Sequence, residues 1–166
     1  MSDTAASQGF QPPQPGAEHA VFKKDVGTWD AAVEIRLAPG VPAQTSEGVA
    51  TNRLACGGRW LITEFRNETT GFEGHGIYGW DAAKGKYVGV WVDNMRNFIA
   101  VAEGSWDAGT KTMTLWTEAP GPGGRPIHWR EVTQTVDPGR QVFRSFFPIP
   151  DGGEFEMMTV TYTRRR

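Results

Sequence analysis

The chain has 166 residues, a length typical of one domain and sufficient to bury a core without disulfide or metal support. Its 17 Lys and Arg residues nearly balance its 19 Asp and Glu residues, so it lacks the basic excess of a nucleic-acid-binding protein. The single cysteine, Cys56, excludes an intrachain disulfide framework and fits a reducing compartment. The sequence has no secretory signal and no run of about 20 apolar residues, so we expect a cytoplasmic protein that binds neither nucleic acid nor membrane.

The first segment, residues 1–17, is rich in Pro, Gln, Gly and Ser. Such a composition buries little apolar surface, so it predicts a disordered tail followed by one domain over residues 18–166. This domain is predicted to begin with a short helix of about two turns over residues 18–26, which Gly27 ends. The apolar residues on one face of that helix are Ala20, Val21, Phe22 and Val26.

After Gly27 the pattern changes to strands. Residues 29–37 alternate apolar and polar side chains with period two. Turn signals such as CGGR, WDAAKGK and VDPGRQ then recur at short intervals and divide the chain into about ten strands with no helix between them. Consecutive hairpins of this number either stack as a sandwich or close into a barrel. Because closure removes the strand edges and the helix can plug one end, we predict an all-β fold, an antiparallel up-and-down (meander) barrel.

The turn in LACGGRWL predicts the pairing of one hairpin. A two-residue loop at positions 57–58 places Ala55 opposite Trp60 and puts Arg53 diagonal to Glu64 on the same face, within ion-pair reach. The opposite face carries Asn52, Leu54, Leu61, Thr63 and Phe65.

The strand YVGVWVD, residues 87–93, has two unlike faces. One face carries valines, and the other carries Tyr87, Gly89, Trp91 and Asp93. If the next residues turn so that Trp91 faces Ala100, small residues surround the aromatic rings and leave room. We therefore predict that Trp91 lines a cavity and that Asp93 lies at its mouth. The alternative is that Trp91 only fills the core and Asp93 is a turn residue, and a slip of one residue would exchange the two faces.

The strand FEGHGIYGW repeats this arrangement. One of its faces carries Phe72, Gly74, Gly76, Tyr78 and Trp80. Glycines within a strand weaken it, so they mark either sharp curvature of a barrel or the close approach of another group, such as a ligand. Both interpretations remain open at this point.

Seven stretches of the chain together resemble a known family. They are VGTWD, ATNRLACGGRWLITEF, FEGHGIYGWD, KYVGVWVDNM, AEGSWD, REVTQTVD and EMMTVTYTR. Their order and spacing, from about Glu18 to Arg164, are similar to the bacterial domain-of-unknown-function family 1579. That resemblance implies a calycin-like barrel with an internal cavity, as in lipocalins and fatty-acid-binding proteins, and implies no established activity. The family pattern falls here on Asn52, Arg53, Arg59, Tyr87, Trp91, Asp93, Asn94, Glu103 and Glu131.

Carboxylates within predicted strands are the candidates for chemistry. They are Glu64, Asp93, Glu103 and Glu131. An unpaired carboxylate in an apolar barrel has a raised pKa and can act as a general acid or base. Alternatively, each acid pairs with an arginine and fixes the strand register; the available arginines are Arg53, Arg59, Arg66 and Arg130. Asp93 is the best candidate for an unpaired acid because no arginine shares its face, whereas Glu103 lies with the valines. The catalytic candidates are therefore Asp93, Glu64 and Glu131.

No metal or other cofactor is expected. The three histidines, His19, His75 and His128, lack the spacing of metal ligands, and haem would need a buried histidine, for which His128 is the candidate. Neither Cys56 nor any serine lies in the context of a catalytic nucleophile.

Two functions remain open. The first is binding of a small, largely apolar molecule inside the barrel. The candidate contacts are Asn52, Arg53, Trp60, Glu64, Tyr87, Trp91, Asp93 and Tyr162. The second is a cofactor-independent enzyme, of isomerase, cyclase or decarboxylase type, that uses a cavity carboxylate on such a molecule. In both cases the expected partner is a small apolar molecule, and the sequence leaves a homodimer open.

Overall fold

The computed structural model describes residues 11–166, which form a closed barrel of ten antiparallel strands. The strands are β1 (Gly27–Ile35), β2 (Gln44–Ala55), β3 (Trp60–Asn67), β4 (Phe72–Asp81), β5 (Lys86–Asp93), β6 (Ala100–Asp107), β7 (Thr112–Pro120), β8 (Pro126–Asp137), β9 (Arg140–Pro148) and β10 (Glu154–Arg164). Each strand pairs with the next along the chain, and β1 pairs with β10 to close the barrel. The predicted meander barrel is thus confirmed.

A short helical segment precedes β1 and plugs one end of the barrel. It consists of α1 (Ala17–Ala20) and a 3-10 helix (Val21–Asp25), where the sequence predicted a single helix over residues 18–26. Phe22 is buried, and its ring meets the Tyr87 ring edge-on with 5.7 Å between centroids. A second 3-10 turn (Pro122–Gly124) lies in the loop between β7 and β8.

Part of the predicted disordered tail, residues 1–10, lies outside the described residues. Residues 11–16 form neither helix nor strand, and the Pro13 carbonyl accepts a hydrogen bond from the Arg59 side chain. Along residues 11–166 no helix has both the length and the apolar character needed to cross a membrane.

The predicted register of both hairpins is confirmed. Ala55 pairs with Trp60 across β2 and β3, and Trp91 pairs with Ala100 across β5 and β6. Side chains alternate between the two faces of a strand, so these pairings decide which residues point into the barrel. The face that carries Trp91 is the inner one, where Ala100 is almost fully buried.

The inner-face glycines of β4 and β5 make room for aromatic rings. A Cβ atom on Gly74 would lie 2.1 Å from the Trp91 ring, and one on Gly89 would lie 2.3 Å from the Tyr78 ring. Each ring therefore lies flat against a strand at a position that only glycine allows. Close approach of the protein's own rings, rather than a ligand, explains these glycines.

Candidate functional site

The barrel encloses a cavity of about 550 Å³, which is within the range of small-molecule sites. Most of its lining is apolar and includes Leu61, Phe65, Trp91, Leu115, Phe143 and Val160. Polar side chains enter it at three levels: the end plugged by the helix, the middle, and the end that carries the loop of residues 94–99, which we call the mouth.

The middle level is built around Glu131 of β8. The Trp129 indole N–H donates to Glu131 Oε1 at 2.8 Å, and the Thr117 hydroxyl donates to Oε2 at 3.0 Å. In the part of the chain that the structure describes, Glu131 makes no salt bridge. Burial raises the pKa of Glu131, because removal from water disfavours the charged form more than the two hydrogen bonds and the charge of Arg96 favour it.

Two tyrosines face the same cavity from other strands. Tyr78 lies on β4 and Tyr162 on β10, and both line the cavity. Burial raises the pKa of both hydroxyls, and the nearby Glu131 raises each of them further. Both hydroxyls are therefore protonated donors at neutral pH. We call Glu131, Tyr78 and Tyr162 the hydroxyl cluster.

At the mouth, neighbouring groups form an ion pair and hydrogen bonds with both carboxylate oxygens of Asp93. Arg96 Nη2 lies 2.9 Å from Asp93 Oδ2, the Trp91 indole N–H donates to the same oxygen at 3.1 Å, and the Met95 N–H donates to Oδ1 at 3.0 Å. The expectation that Asp93 is an unpaired acid, drawn because no arginine shares its face, is wrong, because the turn after β5 brings Arg96 back against it. The Asp93 side chain is only 2% exposed, and Arg96, not Asp93, lines the cavity.

At the plugged end, Asp25 organises a second polar group. Lys24 Nζ lies 2.8 Å from Asp25 Oδ1, and Gln141 Nε2 donates to that oxygen at 2.6 Å. The Asn52 amide N–H donates to the Asp25 carbonyl at 2.9 Å, while Asn52 Oδ1 is buried with no partner among the described residues. Lys24, Asp25 and Gln141 are absent from the sequence-based candidates, because only the docking of the helix segment on the barrel brings them together.

The structure places the sequence-based candidates on both faces of the barrel. Those that line the cavity are Asn52, Tyr87, Trp91, Glu131 and Tyr162. Three positions are corrected: Arg53, Trp60 and Glu64 lie on the outer face, because their neighbours Asn52, Leu61 and Thr63 point inward. The Trp60 ring instead covers Gly79 of β4 on the outside of the barrel.

The remaining polar candidates are on the outside of the barrel. Glu103 lies between Lys84 and Lys86, at 3.3 and 3.2 Å, on the outer face that its position among the valines predicted. His128 is exposed and lies 3.5 Å from Glu118, so it is not the buried histidine that haem would require. His75 is also exposed and lies 3.0 Å from Glu73.

The fold and the cavity define a class, the closed meander β-barrels that enclose an internal chamber. The chain belongs to the family described as "Protein of unknown function (DUF1579)", whose sequence profile matches residues 14–164. This match confirms the resemblance drawn from the sequence motifs.

Two solved structures align with this chain. The crystal structure of Rv2717c from M. tuberculosis aligns with a TM-score of 0.67 and 10% identity over 91% of this chain and 99% of that one. A redesigned β-barrel aligns with a TM-score of 0.37 and 13% identity over 93% of this chain and 100% of that one. A comparison with curated proteins finds no significant match. At such low identity, the similarity to Rv2717c shows the fold alone.

Proposed function

We propose that this barrel binds a small, largely apolar molecule in its internal cavity, in the manner of a calycin-like carrier. The observation that carries the proposal is the cavity itself, which has a volume of about 550 Å³ and a mainly apolar lining with a few polar groups. Protein interiors are normally close-packed, with few voids larger than one water molecule. This space is many times what a single water molecule needs, so it is far larger than a packing defect.

The strands keep this space open with small inward residues. Ala50, Ala100 and Ala102 all point inward and are at most 4% exposed. Larger side chains at these positions would fill the chamber. The small residues therefore lie where a ligand needs volume, beside the rings of Trp91 and Tyr87 that would contact it.

Filling the cavity tests the proposal. Ala102→Leu adds volume inside the barrel, and Ala32→Leu adds the same volume on the exposed outer face of β1 as a matched control. We expect the wild type to bind the neutral polarity-sensitive dye N-phenyl-1-naphthylamine in a saturable complex. Ala102→Leu should weaken this binding by about tenfold or more, roughly 1.4 kcal/mol, and Ala32→Leu should not.

Circular dichroism and melting curves show whether both variants remain folded. Equal dye affinity for Ala102→Leu and Ala32→Leu, with both folded, would contradict binding inside the barrel. Failure of the wild type to bind the dye at all would contradict the proposed function directly.

A second candidate is a cofactor-independent enzyme, and one observation favours it. Glu131 is a buried carboxyl group with a raised pKa and no salt bridge in the described part of the chain, as a general acid or base requires. A bound methyl ketone such as 2-acetylnaphthalene should then exchange its α-protons with deuterated water faster than in buffer, measured by NMR. Glu131→Gln keeps the shape and should lower this exchange by about a hundredfold. If the protein does not accelerate the exchange, only the binding function stands.

A further inference from the structure

The middle of the cavity has a composition that selects for one kind of ligand. Three strands far apart in sequence direct Tyr78, Glu131 and Tyr162 into the same chamber. We propose that the hydroxyl cluster binds a carbonyl or similar acceptor oxygen of an otherwise apolar, uncharged ligand, with Glu131 in its neutral form donating one of the hydrogen bonds. The inference rests on the proposed binding function and names the class of ligand.

Within residues 11–166, no cation pairs directly with Glu131. The cation that acts on it from the mouth, Arg96, is already paired with Asp93 at 2.9 Å. An ionised carboxylate in this position would lack a counter-ion, and a buried unpaired charge is strongly unfavourable. The neutral carboxylic acid avoids this penalty, and it carries an O–H that can donate a hydrogen bond.

The position of the acid proton follows from the hydrogen-bond donors. The Trp129 indole can only donate, so Oε1 must accept and the proton belongs on Oε2, which can still accept from the Thr117 hydroxyl through a lone pair while its own O–H donates. Trp129 is held in place by stacking on Phe147, with 5.1 Å between ring centroids and an angle of 11° between ring planes. The carboxyl group is therefore fixed in orientation before any ligand enters.

The two tyrosines add donors of the same kind. The Tyr78 ring is seated between Gly76 and Gly89, where a Cβ atom would lie 2.5 and 2.3 Å from it, so its hydroxyl has little freedom to move. Tyr162 faces the same cavity from β10. A buried neutral carboxylic acid beside a tyrosine is an established donor pair for a carbonyl or enolate oxygen. A ligand amine would instead need an ionised Glu131.

A set of naphthalenes with nearly identical shapes tests this inference. The ketone 2-acetylnaphthalene carries an acceptor oxygen, the alkene 2-isopropenylnaphthalene has a methylene group in its place, and 2-(aminomethyl)naphthalene carries a cation. Competition against N-phenyl-1-naphthylamine gives each affinity. We expect the wild type to bind the ketone at least about tenfold more tightly than the alkene, and the amine most weakly, because a site with unpaired donors discriminates strongly between such analogues.

Variants that each lose one hydroxyl group show which residues produce the preference for the ketone. Tyr78→Phe and Tyr162→Phe should each lower the ketone-to-alkene ratio to about threefold or less. Thr163→Val is the control, because it removes a hydroxyl from the exposed outer face of β10, at the residue next to Tyr162. It should leave the ratio unchanged, and melting curves check that all three variants remain folded.

The remaining outcomes distinguish a failure of this inference from a failure of the proposed binding function. Equal affinities for ketone and alkene would overturn the acceptor-oxygen site while cavity binding stands. Tightest binding of the amine would show an ionised Glu131 and would also overturn it. If no naphthalene binds and the dye does not bind, the proposed function itself fails.

Discussion

Two carboxyl groups of this barrel, Asp93 at the mouth and Glu131 in the middle, differ in how their surroundings satisfy them. Asp93 accepts hydrogen bonds from the Trp91 indole and the Met95 N–H and pairs with Arg96. Glu131 accepts from Trp129 and Thr117, both uncharged, and has no salt bridge within residues 11–166. Both acids are enclosed by protein, but Asp93 has a cation beside it, whereas Glu131 has none among the described residues.

The difference supports a structural role for Asp93 and the proposed ligand-binding role for Glu131. Asp93 ties the loop of residues 94–99 to the end of β5, because its donors come from that loop and from its own strand. Among the described residues Glu131 holds no turn together, and it faces the cavity, so its remaining hydrogen-bonding capacity is available to the proposed ligand. A buried acid with a complete set of partners is therefore a structural element, and a buried acid without a cation is the stronger candidate for function.

The largest expected effect is a difference in stability between variants of the two acids. Asp93→Asn removes the charge that Arg96 and the two N–H donors share, and hydrogen bonds to charged groups contribute about 1.5–3 kcal/mol each. Because Arg96 is 40% exposed and asparagine keeps one acceptor oxygen, we expect a loss of about 1–3 kcal/mol in the free energy of unfolding, measured with urea. Glu131→Gln should lose less than about 1 kcal/mol, because its donors are neutral.

Arg96→Gln is the control for the mouth. It removes the ion pair but leaves the Trp91 and Met95 donors in place, so its loss of stability should be smaller than that of Asp93→Asn. If Glu131→Gln destabilises the protein more than Asp93→Asn, the structural and functional roles assigned to the two acids are reversed.

The sequence predicts the barrel and its hairpin registers because these depend on local chemistry. Glycine-rich turns fix the pairing of adjacent strands, and period-two alternation then assigns each side chain to a face. The inner face of β5 was predicted on this basis, since Trp91 and its small neighbour Ala100 can share only one side.

The inner face of β2 and β3 was harder to predict from the same kind of information. Both faces of this hairpin mix apolar and polar residues: Trp60 lies outside, and Thr63 lines the cavity. Pairing alone places Arg53 and Glu64 on a face different from that of Asn52, but does not say which face turns inward. That choice depends on the curvature of the closed barrel.

The assembly of the hydroxyl cluster depends on barrel closure even more than the inner face of β2 and β3 does. Tyr78, Glu131 and Tyr162 come from β4, β8 and β10, and none of these strands pairs with another of the three. Their proximity depends on the tilt and stagger of all ten strands, which no single hairpin specifies. The engagement of Asp93 by Arg96 depends likewise on the path of one loop, which hairpin pairing does not describe.

A smaller effect is expected in the pH dependence of stability, to which Glu131 should contribute. Because burial raises the pKa of this carboxyl above its ordinary value of 4.5, the folded state keeps a proton that the unfolded state has released. The resulting stabilisation is complete below about pH 4.5 and is lost as the pH rises through the pKa of the folded state. The titratable and charged groups that face Glu131 are Tyr78, Tyr162 and Arg96, and such side chains ordinarily keep their charge state in this range.

The free energy of unfolding of the wild type, measured relative to Glu131→Gln in urea at a series of pH values, should therefore decrease as the pH rises above 4.5. All other titrating groups are common to both proteins and cancel in the difference. A difference that increases with pH would show that Glu131 is held as a carboxylate, and it would remove the distinction drawn between the two acids.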